Sequence, residues 1–184
     1  MFSIKTKLML LILLTSFISA CGTSAIDKVK NGVLNFDRTK SVGDGIEGNQ
    51  FVKEVEWTSF ETPQKQKIVE AKVTMHLDKI HDYCYDMINN ETYFNTNDAQ
   101  EISKLRSRNR DEIQKVSRVM AILQFSIYKD NESFEYFYGG LEYTNSKGDG
   151  EKKKEDVLEL LMKNECPIQN YFDLVGHLLN FKLF

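Results

Sequence analysis

The chain has few of the residues and motifs that mark several protein classes. Two of its 184 residues are proline and three are histidine, and no proline-rich, repetitive or low-complexity tract is present. The motifs Gly-x-Ser-x-Gly and His-Glu-x-x-His, which mark two large groups of hydrolases, are absent. No apolar run reaches the roughly 20 residues of a membrane-spanning helix. We therefore predict a protein that is not an enzyme and that uses no metal or other cofactor.

An excess of positive charge is also missing. The formal net charge is −3, and removing residues 1–20, which contain Lys5 and Lys7 but no acid, leaves 22 basic against 27 acidic residues, or −5. Because the phosphate backbone of nucleic acids binds basic proteins, we do not expect nucleic acid to be a partner of this acidic chain. One basic cluster (Lys104, Arg106, Arg108 and Arg110) has the spacing of a solvated helix, with an anionic-lipid patch as the alternative.

The amino terminus has the order of a secretory signal peptide. Lys5 and Lys7 precede an apolar run over residues 8–14, and a short stretch with small residues follows and ends at Cys21. The run is too short to remain in a membrane as a spanning helix. We therefore assign residues 1–20 to a segment that is removed on export.

The residues Ile18-Ser19-Ala20-Cys21 resemble the lipobox of bacterial lipoproteins. This resemblance implies that the Cys21 thiol takes a diacylglycerol, that the peptide is cut before it and that the new amine is acylated. The alternative is an ordinary signal peptide with an incidental cysteine. The lipobox implies a lipid-anchored protein at the bacterial cell membrane or outer membrane, facing the periplasm or the cell exterior. Gly22 is not the aspartate that retains some lipoproteins in the inner membrane, which favours the outer membrane.

Two cysteines remain once Cys21 is lipidated. An exported domain lies in an oxidising compartment, so Cys84 and Cys166 are predicted to form one disulfide. Two separately buried thiols are the alternative.

The hydropathy pattern predicts an α+β fold with an antiparallel sheet of about four to five strands. Residues 21–31 are assigned to a lipidated terminus and tether, and residues 32–184 to a single domain. Alternating apolar residues favour strands, and 3.6-residue periodicity with capping residues favours helices. The predicted strands cover residues 33–36, 51–58, 67–77, 116–128 and 133–144. The predicted helices cover residues 41–46, 78–88, 98–115, 155–163 and 169–182, the last being a C-terminal helix docked on the sheet. A polar loop is predicted at 145–154.

Two patterns resemble known binding sites without their context. Residues 43–48 match G-x-G-x-x-G, but Asp44 and Glu47 would repel a phosphate, and no parallel βαβ unit follows. We interpret the segment as a flexible turn. His76, His81 and Cys84 are possible metal ligands with poor spacing, so no metal site is predicted.

The order of several segments is similar to that of small exported bacterial lipoproteins of unassigned function. The segments are residues 33–36, Ser41-Val42-Gly43, Trp57, Gln124-Phe125 and 130–134. This resemblance implies no activity and no functional residues.

Three functional hypotheses follow. The first is a binding or assembly module that contacts a protein partner in the envelope, with Tyr136 and Tyr138 of an aromatic strand as a possible interface. The alternative for these rings is that helices cover both faces and the rings are core. The second is an inhibitor or immunity-type protein that blocks an envelope enzyme or toxin through a loop such as 145–151. The third, an envelope hydrolase, has the least support.

Overall fold

The computed structural model of the chain describes residues 24–90, 98–129, 132–148, 150–154 and 156–168. Within these residues lie five strands: β1 (Val52–Glu61), β2 (Lys67–Met75), β3 (Val116–Ile127), β4 (Phe134–Asn145) and β5 (Gly150–Lys154). The same residues contain five helices: α1 (Ala25–Asn31), α2 (Val42–Glu47), α3 (Leu77–Asn90), α4 (Ala99–Gln114) and α5 (Leu158–Met162). No described helix combines the length and the apolar character needed to cross a bilayer.

The strands form one antiparallel sheet in the order β1-β2-β3-β4-β5. Each strand pairs with its neighbour in sequence. Short turns join β1 to β2, β3 to β4 and β4 to β5, whereas helices α3 and α4 lie between β2 and β3. The β1–β2 and β3–β4 turns lie at the same end of this sheet, which we call the hairpin end. The predicted α+β class is confirmed, while the predicted C-terminal helix at 169–182 lies outside the described residues.

The hydrophobic core lies on one face of the sheet, which we call the inner face. Alternate residues of the central strands, such as Val69 and Ala71 of β2 and Leu123 and Phe125 of β3, are buried there. Every described helix contributes buried side chains to the same cluster. These helix residues are Val29, Val42, Ile46, Ile80, Cys84, Ile88, Ile113, Leu158, Leu161 and Met162. The helices therefore cover one face of the sheet, as burial of an amphipathic sheet requires.

The predicted tether is wrong over its described part, because residues 25–31 form helix α1. Ser24 caps this helix: its hydroxyl accepts a hydrogen bond from the Asp27 backbone N–H at 3.0 Å, and Asp27 bonds back to Ser24. This reciprocal arrangement is a capping box. Val29 is fully buried in the core. The described residues are therefore part of the folded domain from Ser24 onward.

A three-residue contact fastens α1 and α2 to the first strand. Glu47 Oε1 accepts a hydrogen bond from Trp57 Nε1 at 2.8 Å and pairs with Lys30 Nζ at 2.8 Å. The Lys30 ammonium also lies 5.7 Å from the centre of the Trp57 ring. Burial raises the pKa of the Glu47 carboxyl, but hydrogen bonds from Lys30 and Trp57 outweigh it and leave the pKa lowered. The carboxylate thus stays charged where it joins the three elements.

Two further segments differ from their predictions. Residues 33–36 form a turn closed by a single bridge between Leu34 and Asp37, not a strand. The predicted loop at 145–154 contains a tight turn, with Gly148 at φ +87°, followed by strand β5. Strand β5 was missed because its residues, Gly-Glu-Lys-Lys-Lys, have no apolar phase and join the sheet through backbone pairing to β4.

Candidate interaction surface

The face of the sheet opposite the core, which we call the outer face, carries side chains that lie outside the core cluster. Residues on neighbouring strands that face it include Glu70 of β2, Ile122 and Gln124 of β3, and Tyr138 of β4. These four are half-buried, and none belongs to the core cluster or packs against it. The described helices therefore leave these four residues outside the core that they form with the inner face.

A short polar network occupies the centre of this face. Gln124 Nε2 donates a hydrogen bond to Glu70 Oε2 at 2.6 Å, and Lys72 Nζ lies 3.7 Å from Glu70 Oε1. Tyr138 pairs with Gln124 in the sheet, and Ile122 lies two residues away on the same strand. A ring next to apolar and hydrogen-bonded side chains has the composition of a protein contact surface.

A β-bulge separates the two tyrosines of the predicted interface. The register of β3 and β4 shifts between Gln124 and Phe125: Gln124 pairs with Tyr138, but Phe125 pairs with Tyr136. Phe137 is the extra residue and is exposed. Tyr136 and Tyr138, which were predicted together as one possible interface, therefore lie on opposite faces of the sheet, since a bulge shifts the alternation by one residue.

Tyr136 lies on the inner face and packs against the core, with its ring 5.7 Å from that of Phe125. Its hydroxyl is buried without a hydrogen bond of ordinary geometry. Burial raises the pKa of Tyr136, and the nearby Asp156 carboxylate acts in the same direction. These contacts favour the core alternative for Tyr136 and leave Tyr138 as the candidate contact residue.

The two cysteines of the predicted disulfide are both buried and are free thiols in the structure. Cys84 lies on α3 and Cys166 follows α5, and both belong to the core cluster. Burial raises the pKa of each thiol to about 12, and Cys166 is close enough to Cys84 to add to the shift there. The Cys84–Cys166 bond is not formed here, and the disulfide stays a prediction.

Most of the G-x-G-x-x-G segment lies in helix α2, in agreement with the predicted helix at 41–46, and its interpretation as a flexible turn is wrong. Ser41 caps α2 by accepting a hydrogen bond from the Asp44 backbone N–H at 3.1 Å, as its sequence position predicted. A Cβ atom added at Gly45 would lie 2.2 Å from Met162 Sδ, and one at Gly43 would lie 3.1 Å from the Lys30 carbonyl oxygen. These two glycines let α2 pack closely against α5 and α1.

The possible metal ligands do not converge. His76 lies 3.9 Å from Asp78, whereas the ring of His81 is 6.2 Å from that of Tyr85. Burial lowers the pKa of His81. Among the described residues, no group of three or more His, Cys, Asp and Glu side chains could hold a metal ion. The third histidine, His177, lies outside these residues.

Two members of the basic cluster join helices α3 and α4. Arg106 Nη2 donates to the Asn89 carbonyl oxygen at 3.0 Å, and Arg110 Nη2 donates to Asn89 Oδ1 at 2.9 Å. The Arg110 guanidinium also lies 5.7 Å from the Tyr85 ring centre. Cations at a helix carboxyl end are favoured by the helix dipole, which accounts for this position.

Comparison of the chain with models of protein families, with curated proteins and with solved structures finds no match.

Proposed function

We propose that this chain is a lipoprotein of the bacterial cell envelope, anchored through Cys21, that acts as a non-enzymatic binding or assembly module. The outer face of the sheet, centred on Tyr138, contacts a protein partner in the envelope. The observation that carries the binding role is the one-sided core, which leaves a folded, rigid sheet face outside the hydrophobic cluster. A rigid surface loses little conformational entropy on binding.

The inhibitor alternative has less support. It placed its key residues on a loop at 145–151, but residues 145–148 form a tight turn in which Asn145 Oδ1 accepts a hydrogen bond from the Lys147 backbone N–H at 2.9 Å. The Ser146 N–H also donates to the Lys115 carbonyl oxygen at 2.9 Å. These residues connect two strands and do not form an extended inhibitory loop.

The anchor is tested by replacing Cys21 with serine. The wild-type chain is expected wholly in the membrane fraction, since two or more acyl chains give stable anchoring. Cys21→Ser is expected to leave that fraction, with the folded domain intact because the first described core residue is Val29. Fractionation followed by intact mass measurement checks both. A wild-type protein that carries an unmodified Cys21 contradicts the anchor.

The binding role is tested by the matched variants Tyr138→Ala and Tyr136→Ala. Loss of an aromatic residue central to an interface weakens binding by about tenfold or more. Tyr138→Ala should therefore reduce crosslinking to envelope partners with little change in melting temperature. Tyr136→Ala should lower the melting temperature, because it opens a cavity beside Phe125.

The two variants separate three cases. Unchanged crosslinking by Tyr138→Ala, at unchanged melting temperature, contradicts an interface on the outer face. Unfolding of Tyr138→Ala assigns that ring to a structural role. Loss of crosslinking by Tyr136→Ala without loss of stability would return the interface to the inner residue.

A further inference from the structure

Five large apolar side chains are exposed on the described part of the domain. The exposed fractions are 53% for Val33, 51% for Phe36, 44% for Phe60, 46% for Tyr128 and 46% for Phe137. Three of the five are phenylalanines with no polar group to place in water. Exposed apolar side chains gathered in one region mark an interaction surface, whereas scattered ones need no explanation. Their positions in the fold are therefore informative.

All five lie at or near the hairpin end of the sheet. Phe60 is the second-last residue of β1, and Tyr128 follows the last residue of β3. Phe137 is the bulge residue near the start of β4, three positions after Phe134. A Cβ atom added at Gly32 would lie 2.2 Å from a Phe134 ring carbon, so the turn that follows Gly32 starts against the same strand end. That turn contains the remaining two, Val33 and Phe36.

The distance from this end to Cys21 is short. Cys21 precedes the cap residue Ser24 by three positions, which span at most about 10 Å when extended. Helix α1 has seven residues and is about 10 Å long. Gly32 follows α1 directly and lies next to the hairpin end. A lipid on Cys21 would therefore enter the bilayer within about 20 Å of Gly32, which lies next to the hairpin end.

We propose that the hairpin end lies against the bilayer surface and inserts its exposed apolar side chains among the lipid headgroups. This inference rests on the proposed lipidation of Cys21. It goes beyond lipidation because it assigns the orientation of the domain at the membrane. The link from Cys21 to Ser24 is too short to hold the domain away from the bilayer. Tyr is favoured at the membrane–water boundary because its ring is apolar and its hydroxyl is polar, and Phe rings insert on the apolar side of that boundary.

The charges around the hairpin end indicate an apolar contact, not an electrostatic one. The described residues of 33–40, 60–67 and 128–137 include both signs in similar number. They are the cations Arg38, Lys40, Lys65, Lys67 and Lys129 and the anions Asp37, Glu61, Glu132 and Glu135. Because their charges nearly balance, binding should depend little on anionic lipid or salt.

The lipid anchor also explains why a modest apolar patch suffices. Five half-exposed side chains bind a bilayer weakly on their own, but an anchored domain meets the surface at a high effective concentration. The strands run away from the hairpin end, so this orientation leaves the outer face open to the side. A protein partner could then reach Tyr138 while the domain rests on the membrane.

The orientation is tested on the mature lipidated chain in vesicles of phosphatidylethanolamine and phosphatidylglycerol. Some vesicles carry lipids brominated near the headgroup end of the acyl chains, since bromine quenches tryptophan emission on contact. Phe36→Trp and Phe60→Trp each place a tryptophan at the hairpin end. Lys53→Trp is the matched control, because Lys53 is exposed at the opposite end of β1. The parent, with Trp57 alone, gives the background.

We expect bromine to reduce the emission of the introduced tryptophan about twofold or more in both hairpin-end variants. In the Lys53→Trp control, the fraction of emission lost to bromine should equal that of the parent. The reduction should persist in high salt. Equal emission from all three variants, in a protein that mass measurement shows to be lipidated, overturns the orientation and leaves the anchor standing. If acrylamide in the water also fails to quench the hairpin-end tryptophans, a protein or a second copy covers that end. An unlipidated Cys21 overturns both the anchor and this inference.

Discussion

Replacing Asn49 by aspartate is expected to lower the free energy of unfolding by about 3–5 kcal/mol at neutral pH, which is the cost of an uncompensated buried charge. Asn49 is 3% exposed. Its Nδ2 donates hydrogen bonds to the carbonyl oxygens of Leu161 and Glu165, both at 3.1 Å. A carboxylate oxygen placed there would face two carbonyl oxygens with no proton between them.

The loss should shrink as the pH falls. The folded state disfavours the charged form of an aspartate at this position, so its pKa would be raised above the unfolded value. A group of this kind stabilises the folded state when it is protonated, and the stability is lost as the pH rises through the folded pKa. The protonated carboxyl can also donate to one of the two carbonyls. Urea unfolding of the mature Cys21→Ser chain at neutral and mildly acidic pH measures the change.

Asn49→Ala is the matched control. It removes the same hydrogen bonds without adding a charge, so it should cost about 1–3 kcal/mol at both pH values. Equal losses for the alanine and aspartate variants, or a loss from aspartate that does not change with pH, would contradict the contacts described. The comparison matters because Asn49 joins the start of β1 to the end of α5, two segments over 100 positions apart in the sequence.

Much of the fold could be predicted from local patterns. Strands β1 to β3 show alternation. The predicted helix at 41–46 begins at Ser41, which caps α2, and the predicted helix at 98–115 begins at Asp98, which caps α4. These signals work because each depends on neighbours within four residues.

The missed features depend on distant or weak contacts. Helix α1 has a capping box at Ser24 and Asp27, a visible signal, but its seven residues include few apolar ones and suggested a tether. The bulge at Phe137 has no local sequence signature. Glycines often mark bulges, but the nearby pair Gly139-Gly140 lies in regular pairing with Leu123 and Ile122. Because one extra residue reverses the alternation, this bulge decides which tyrosine reaches the outer face.

The second large effect is expected at Phe125. This ring is fully buried and contacts three other aromatic rings, with centroid distances of 6.3 Å to Trp57, 6.0 Å to Phe134 and 5.7 Å to Tyr136. These partners lie on β1 and β4, on either side of the central strands. Phe125→Ala should therefore lower the free energy of unfolding by about 3–5 kcal/mol, through lost transfer energy and the cavity left behind.

Phe137→Ala supplies the same chemical change on a neighbouring strand, at a side chain that is 46% exposed. Its cost should stay within about 0.5 kcal/mol, since exposed side chains leave no cavity. Urea unfolding of the mature Cys21→Ser chain compares the two variants without a membrane. If Phe137→Ala costs as much as Phe125→Ala, the bulge ring belongs to the core. The hairpin end would then lose one of the apolar side chains on which its membrane contact depends. If only Phe125→Ala is costly, the stability of the sheet comes from its inner face, and Phe137 is available for contact with lipid.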